Sequence, residues 1–320
     1  MKIPAKISRF FIALLITGMT PFSQASGNTE VKIAEGSRSF TVMPLYIAIS
    51  EGYFAEQGLD VNLISMKGGP AAVGALLSGN VDATFSAAET AIKLREQGKN
   101  IRVATLIQDK DPGVLVVPTS SMARSLADLK GKRIGVTATG SLTDLILRLY
   151  IRREGLTESD FKIIGLGSGA TVSAALSHGE IDAAMTVTPF LTKMQLDKSI
   201  KVIHDFRTEI YPGQALLVGP ELDGPRRALL VKIVAALKKG IQTLYSSPEV
   251  VARIARTYFS GMDPSILNAM VLDETQKTPV FSRDGRLSRE NYETLVKLLT
   301  DSNQITRPEK YEDVVIDLAR

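Results

Sequence analysis

"LSGNVDATFSAAET" (residues 77–90) returns 100 positions later as "SHGEIDAAMTVTPF" (residues 177–190). Each copy passes through Gly, a polar residue, a β-branched residue and Asp-Ala, then enters small or hydroxyl-bearing residues. That order reads as helix end, tight turn and buried strand. The same offset, without gaps, pairs Asp60 with Asp160, Ile64 with Ile164, Gly69 with Gly169, Leu76 with Leu176 and Gly113 with Gly213. A register unbroken over that length predicts two lobes of related βα build.

The rest of the pattern supports an α/β protein, because short apolar runs alternate with helical ones. Strands are expected at 31–34, 61–64, 83–85 and 103–107, and again at 133–136, 161–164, 183–186 and 201–203. Helices are expected at 44–50, 70–77 and 87–97, then at 142–153, 170–177 and 189–196. "DPGVLVVP" (111–118) and "YPGQALLVGP" (211–220) are matched extended segments opened by Pro-Gly turn signals, and they read as strands crossing between the lobes. From Asp223 onward the pattern is helical and is expected to pack on the first lobe. The expected division is lobe one at 29–115 and 215–320, and lobe two at 116–214.

The first residues place Lys2, Lys6 and Arg9 ahead of an apolar run from Phe10 to Met19 and a small-residue site ending at Ala25. This is the pattern of a cleaved signal peptide, residues 1–25, and it predicts export to the periplasm. The formal net charge is +4, and removing those three cations leaves about +1, which calls for no nucleic-acid partner. Cysteine is absent, so disulfides, thiolate metal sites, a Cys nucleophile and a lipid-bearing Cys are excluded.

In open α/β sheets, ligands lie beyond the carboxyl ends of strands, where helix N-termini present unpaired N–H groups. Four such places occur here: Gly68-Gly69 before Pro70, Ser86-Ala87, Thr137 to Ser141 (with Thr139 and Gly140), and Thr188 before Pro189 and Phe190. Singly, each hydroxyl can be no more than a helix cap. Together, on two lobes facing one cleft, they suit a small anionic or polar ligand. Ser86 and Glu89 have capping-box spacing, so Glu89 either closes that box or answers a ligand amine. Thr188 reads as a cap with Pro189 as the first helical residue. Ser37, Arg38 and Phe40 follow the first strand at the same edge. Arg38 could clamp an oxyanion bidentately with Phe40 stacked on it, or it could stand in solvent.

Other chemistries find little support. Residues 165–170, "GLGSGA", satisfy G-x-G-x-x-A, but no acidic residue stands about 20 positions on. His178 and His204 are the only imidazoles, and neither neighbours a Ser motif. No zinc pair, nucleophile elbow or closely spaced carboxylate dyad is present, so no catalytic residue, metal or cofactor is expected.

"PLYIAISEGYFAEQGLDVNLI" (44–64), "KGGPAAVGALLSGNVDATF" (67–85), "LADLKGKRIGV" (126–136) and "ALSHGEIDAAM" (175–185) resemble exported substrate-binding proteins of the nitrate, sulfonate, taurine and thiamine-pyrimidine group of ABC importers. The resemblance covers about residues 30–300. It implies a type II periplasmic-binding fold, in which two βα lobes joined by a two-strand hinge close on one small molecule, with extra C-terminal helices on lobe one. It implies a monomer delivering that molecule to an ABC permease in the inner membrane. It also implies a ligand held between the loop after the first strand, the Ser86-Ala87 helix start and the turn from Thr137 to Thr143, with Thr188 to Phe190 completing the pocket. Part of this group resembles pyrimidine-synthase enzymes that use pyridoxal phosphate and an active-site His. That alternative, and a sensor subunit presenting ligand to a membrane kinase, remain open at this stage.

Overall fold

The structure, a computed structural model, describes residues 28–220 and 223–318. The expected signal peptide lies outside the described residues. Strands β1 (Thr29–Glu35), β2 (Leu59–Ser65), β3 (Ala83–Ala87) and β4 (Arg102–Leu106) belong to one sheet. Strands β5 (Val114–Pro118), β6 (Arg133–Val136), β7 (Lys162–Gly165), β8 (Ala183–Thr186) and β9 (Ile200–Asp205) form a second, and β10 (Gln214–Val218) returns to the first. The spatial orders are β2-β1-β3-β10-β4 and β7-β6-β8-β5-β9. In each sheet the first three strands run parallel, and the fourth-placed strand, β10 or β5, runs antiparallel to both neighbours. Each lobe is therefore completed by a strand that has just crossed from the other.

The repeated phrase has a structural cause. Asp82 accepts the Lys32 backbone N–H at 2.8 Å while its own N–H donates to the Lys32 carbonyl, also at 2.8 Å. Asp182 makes the same exchange with Arg133, at 2.9 and 2.8 Å. An Asp at this point caps the turn and fixes the neighbouring strand's register, so the same short sequence serves both lobes. The Asp182 carboxylate also takes the Arg133 guanidinium at 3.0 and 3.1 Å, which holds it below the usual carboxylate range.

Helices α1 (Met43–Ser50), α2 (Tyr53–Glu56), α3 (Gly69–Leu77) and α4 (Ala88–Glu96) follow the first-lobe strands, and α5 (Leu142–Arg153), α6 (Gly169–Ser177) and α7 (Phe190–Leu196) follow those of the second. The C-terminal run is α8 (Gly224–Ser246), α9 (Pro248–Tyr258), α10 (Pro264–Leu272), a π turn at Asp273–Lys277, α11 (Arg289–Asp301) and α12 (Tyr311–Val314). Proline at the first helical positions of α1, α3, α8, α9 and α10 sets φ where no N–H is needed. Helix α8 crosses α1 so closely that a Cβ on Gly240 would stand 2.2 Å from the Pro44 carbonyl oxygen. This contact seats the C-terminal helices on lobe one. One apolar cluster joins Leu45, Phe85 and Leu216 to Leu237 and Met270 there. A second runs from Val103 and Leu106 through Leu115 to Ile134 and Ile146, so buried apolar packing is continuous from one sheet to the other.

The crossing segments pair with each other. Tyr211 N–H donates to Asp109 O at 3.1 Å, Gly213 N–H to Gln108 O at 2.8 Å, and Phe206 N–H to Gly113 O at 3.2 Å. Lys110 and Ile210 bridge between them. Among the described residues no helix is long and apolar enough to cross a membrane.

Candidate functional site

A cavity of about 80 Å³ opens between the lobes. Its first-lobe walls are Gly36, Ser37, Ser39, Thr41, Val42, Gly68, Gly69, Phe85, Ser86, Ala87 and Gln214, and its second-lobe walls are Thr137, Ser141, Leu142, Thr143 and Val187. No lining residue is charged, and none is His or Lys. The polar surface is hydroxyls, backbone and the Gln214 carboxamide.

Helix starts supply the field. Helices α3, α4 and α5 begin at this cavity, and their N-cap residues Gly68, Ala87 and Ser141 give no side-chain cap. Elsewhere α6, α8, α10 and α11 are capped by Ser168, Asp223, Asp263 and Ser288, while α1, α2, α7, α9 and α12 also lack a side-chain cap, so it is the convergence of three such starts that marks this place. The Ala88 N–H of α4 is taken by Gly213 O at 2.9 Å and Pro70 of α3 has none, so the cleft meets the positive ends of three helices through their remaining first-turn N–H groups, with no acceptor from their own caps. On the second-lobe side the Ser141 hydroxyl takes Thr137 Oγ1 at 2.9 Å and Ala138 N–H at 3.2 Å, and meets Thr143 Oγ1 at 3.0 Å. This hydroxyl triad presents rotatable donors in a fixed arrangement.

The loop after β1 is held from beneath. Glu35, fully buried, accepts from the Tyr46 hydroxyl and, at 2.5 Å, from Ser65. Ser39 N–H in turn donates to the Tyr46 oxygen at 3.3 Å, and Thr41 N–H to Ser39 Oγ. Burial and the adjacent Glu35 push the Tyr46 hydroxyl far above its ordinary value, so it stays a donor. Gly68 N–H donates to Gly36 O, as Gly167 N–H does to Thr137 O in lobe two. The "GLGSGA" stretch is thus the second lobe's copy of the Gly68 turn, and Ser168 fills its helix start by accepting from Thr171 N–H at 3.2 Å.

Of the residues singled out from sequence, Ser37, Gly68, Gly69, Ser86, Ala87, Thr137 and Ser141 line the cavity. Others go elsewhere. Phe40 is fully buried and packs edge-on against Phe281 at 5.8 Å, because its 3-10 turn points it into the first-lobe core. Arg38 lies over the Tyr258 ring at 5.5 Å and 3.8 Å from the Glu35 carboxylate. Thr139 and Gly140 are exposed at the rim, where Gly140 approaches Pro70 of the other lobe. The Phe190 ring fills the space over Gly169 within lobe two.

Two expected caps are corrected. Ser86 and Glu89 form no capping box: β3 continues through Ala87, and Ser86 Oγ meets Thr90 Oγ1 at 3.3 Å instead. Glu89 is fully buried and accepts from the Tyr211 hydroxyl of the crossing strand, and burial raises its pKa. Thr188 does not cap α7, which starts at Phe190 after Pro189. It donates at 3.1 Å to Glu274 of the C-terminal π turn, a bond between lobes. Thr143 lines the cavity as the end of the expected turn, and Ser39, Thr41 and Gln214 line it without having been singled out. For Ser39 and Thr41 the signal was available in the hydroxyl-rich "SRSFT" after the first strand; for Gln214 nothing local marks it.

Residues 39–250 match the family described as NMT1/THI5 like. A binding protein of Brucella abortus is 30% identical over 289 residues, covering 88% of each chain. The chain belongs to the NMT1/THI5-like family. The fold of this NMT1/THI5-like protein is the periplasmic-binding-protein fold: the alkanesulfonate-binding protein SsuA from Xanthomonas axonopodis, solved with MOPS bound, superposes with a TM-score of 0.72. The two are 18% identical, with 87% of this chain and 95% of that one covered. A 4-amino-5-hydroxymethyl-2-methylpyrimidine phosphate synthase of Aspergillus parasiticus is 28% identical over 143 residues, 44% of this chain and 41% of the synthase.

Proposed function

We propose that the protein is an exported receptor of an ABC importer, and that its cleft captures a small organic anion or zwitterion of the sulfonate, taurine, nitrate or pyrimidine type. The observation that carries this reading is the meeting of three uncapped helix starts and a hydroxyl triad in a cavity without a charged side chain. Such a lining binds an oxyanion by fixed dipoles and leaves no counter-ion to compete. A sulfonate suits this lining, since its oxygens can take donors from helix starts and from hydroxyls of both lobes.

The cavity's modest volume, against roughly 300–1,000 Å³ for drug-sized pockets, suits a solute of few heavy atoms. Closure of the two lobes follows from the ligand's contacts to both. The enzyme alternative lacks its chemistry here: His178 is exposed at the end of α6, and His204 stacks on Tyr150 and bonds Glu209 at 2.6 Å. Neither lines the cavity.

Calorimetric titration of the mature chain with methanesulfonate, taurine, nitrate and formylaminopyrimidine tests the proposal. At least one of them binds with a dissociation constant below about 10 μM. Failure of all four, with a cationic solute binding instead, would overturn it.

A further inference from the structure

A second cavity, of about 460 Å³, lies beside the hinge. Ile146, Leu149 and Tyr150 of α5 wall it from lobe two, Phe206 and Asp111 from the crossing segments, and Leu298 of α11 from the C-terminal helices. It shares no lining residue with the cleft.

Most of its charged groups are already matched. Arg152 bonds Glu158, Arg153 and Glu209 bond each other, Glu209 also bonds His204, and Asp301 pairs with Lys297. Asp111 is different. It is 2% exposed; Oδ1 accepts Gly113 N–H at 2.5 Å, and Oδ2 is buried without a partner. A buried carboxyl oxygen with no donor is costly, so the site is incomplete by one donor.

We propose that this cavity is a second small-molecule site, for a primary amine on an aromatic or branched aliphatic body, with Asp111 as the group that receives the ammonium. An ammonium supplies the missing hydrogen bond and a counter-charge together, while Tyr150 and Phe206, edge to face at 5.2 Å, receive the apolar body. An anionic ligand meets Asp111 and Glu209 with both nearby guanidiniums engaged. Burial, together with Glu89, Glu209 and Asp205, raises the Asp111 pKa well above its ordinary value, and a bound cation lowers it again. Because both lobes and the hinge form the walls, occupancy is coupled to hinge angle whatever solute the cleft takes.

The test is titration of the mature full chain with benzylamine, benzyl alcohol and benzoate, followed by methyl NMR of the leucines and by calorimetry. Benzylamine binds saturably and shifts the Leu149 and Leu298 methyls, and the alcohol and the acid bind at least tenfold more weakly. Asp111→Asn, which keeps the Oδ1 acceptor, weakens benzylamine at least tenfold. Leu149→Trp, which fills the cavity from its rim without touching the buried carboxyl, does the same, and a thermal melt of each variant reports folding. Absence of saturable benzylamine binding to the wild type, equal binding of all three probes, or undiminished binding to Leu149→Trp would overturn the site.

Discussion

Gly68 of lobe one faces Ala138 of lobe two so closely that a Cβ on Gly68 would stand 3.2 Å from the Ala138 Cβ. The lobes touch at this edge, and Gly68 reaches it with φ of +95°, a region L side chains rarely enter. Gly68→Ala therefore acts twice. It strains the turn by about 1–3 kcal/mol and holds the lobes apart. Denaturant unfolding shows the first effect, and small-angle scattering with ligand shows the second as a larger radius. Ligand affinity falls at least tenfold, because less of the protein reaches the closed form. An unchanged radius and affinity would mean that closure does not bring these loops together.

Arg38 and Thr143 make a contrasting pair. The Arg38 guanidinium is engaged by Glu35 and the Tyr258 face, while Thr143 belongs to the hydroxyl triad at the cavity wall. Arg38→Ala leaves affinity within about twofold, and Thr143→Val, near in shape, loses about tenfold, the worth of one hydrogen bond. Calorimetry separates them. A loss of more than tenfold for Arg38→Ala would place its guanidinium on the ligand.

Asp82 and Asp182 are structural equivalents at the strand edge opposite the cleft. Asp82→Ala and Asp182→Ala each cost about 1–2 kcal/mol of stability, the second more because the Arg133 guanidinium also loses its carboxylate and keeps only the Gly179 carbonyl. Neither alters ligand affinity. Urea unfolding and calorimetry check both halves, and an affinity change without a stability change would contradict the assignment.

Glu274 gives a pH response of known sign. Burial, opposed by Arg207 and reinforced by Asp273, pushes its carboxyl up to about 8. The folded protein therefore keeps this proton more tightly than the unfolded chain does. The stabilisation is complete below the ordinary value of 4.5 and is lost as pH rises toward 8. Glu274→Gln still offers Thr188 an acceptor and never ionises, so its melting temperature falls less steeply over that window than the wild type's. Equal slopes would assign the pH response to another group.

The architecture was legible because it rests on local pattern. The Gly-x-x-Asp-Ala turn, the Pro-led helix starts and the valine-rich run Val114–Val117 each carry their structure in a few neighbouring residues. The same holds for Gly68-Gly69, Ser86 and Ser141, whose place at the cleft follows from the end of a strand. What failed depends on distant partners. Glu89 leaves its expected cap for Tyr211, 122 positions away, and Thr188 leaves its own for Glu274, 86 positions away. Phe40 was misplaced for a simpler reason: a single 3-10 turn decides which way it points, and alternation along the chain does not reveal it.

The exchanged fourth strands make each half dependent on the other during synthesis. The amino-terminal sheet lacks its antiparallel member until Gln214–Val218 has been made, so β3 and β4 have an open slot between them throughout the making of the second lobe. That slot is a ready place for a foreign strand to pair. A chain truncated after the second lobe is expected to aggregate rather than to fold as half of the molecule.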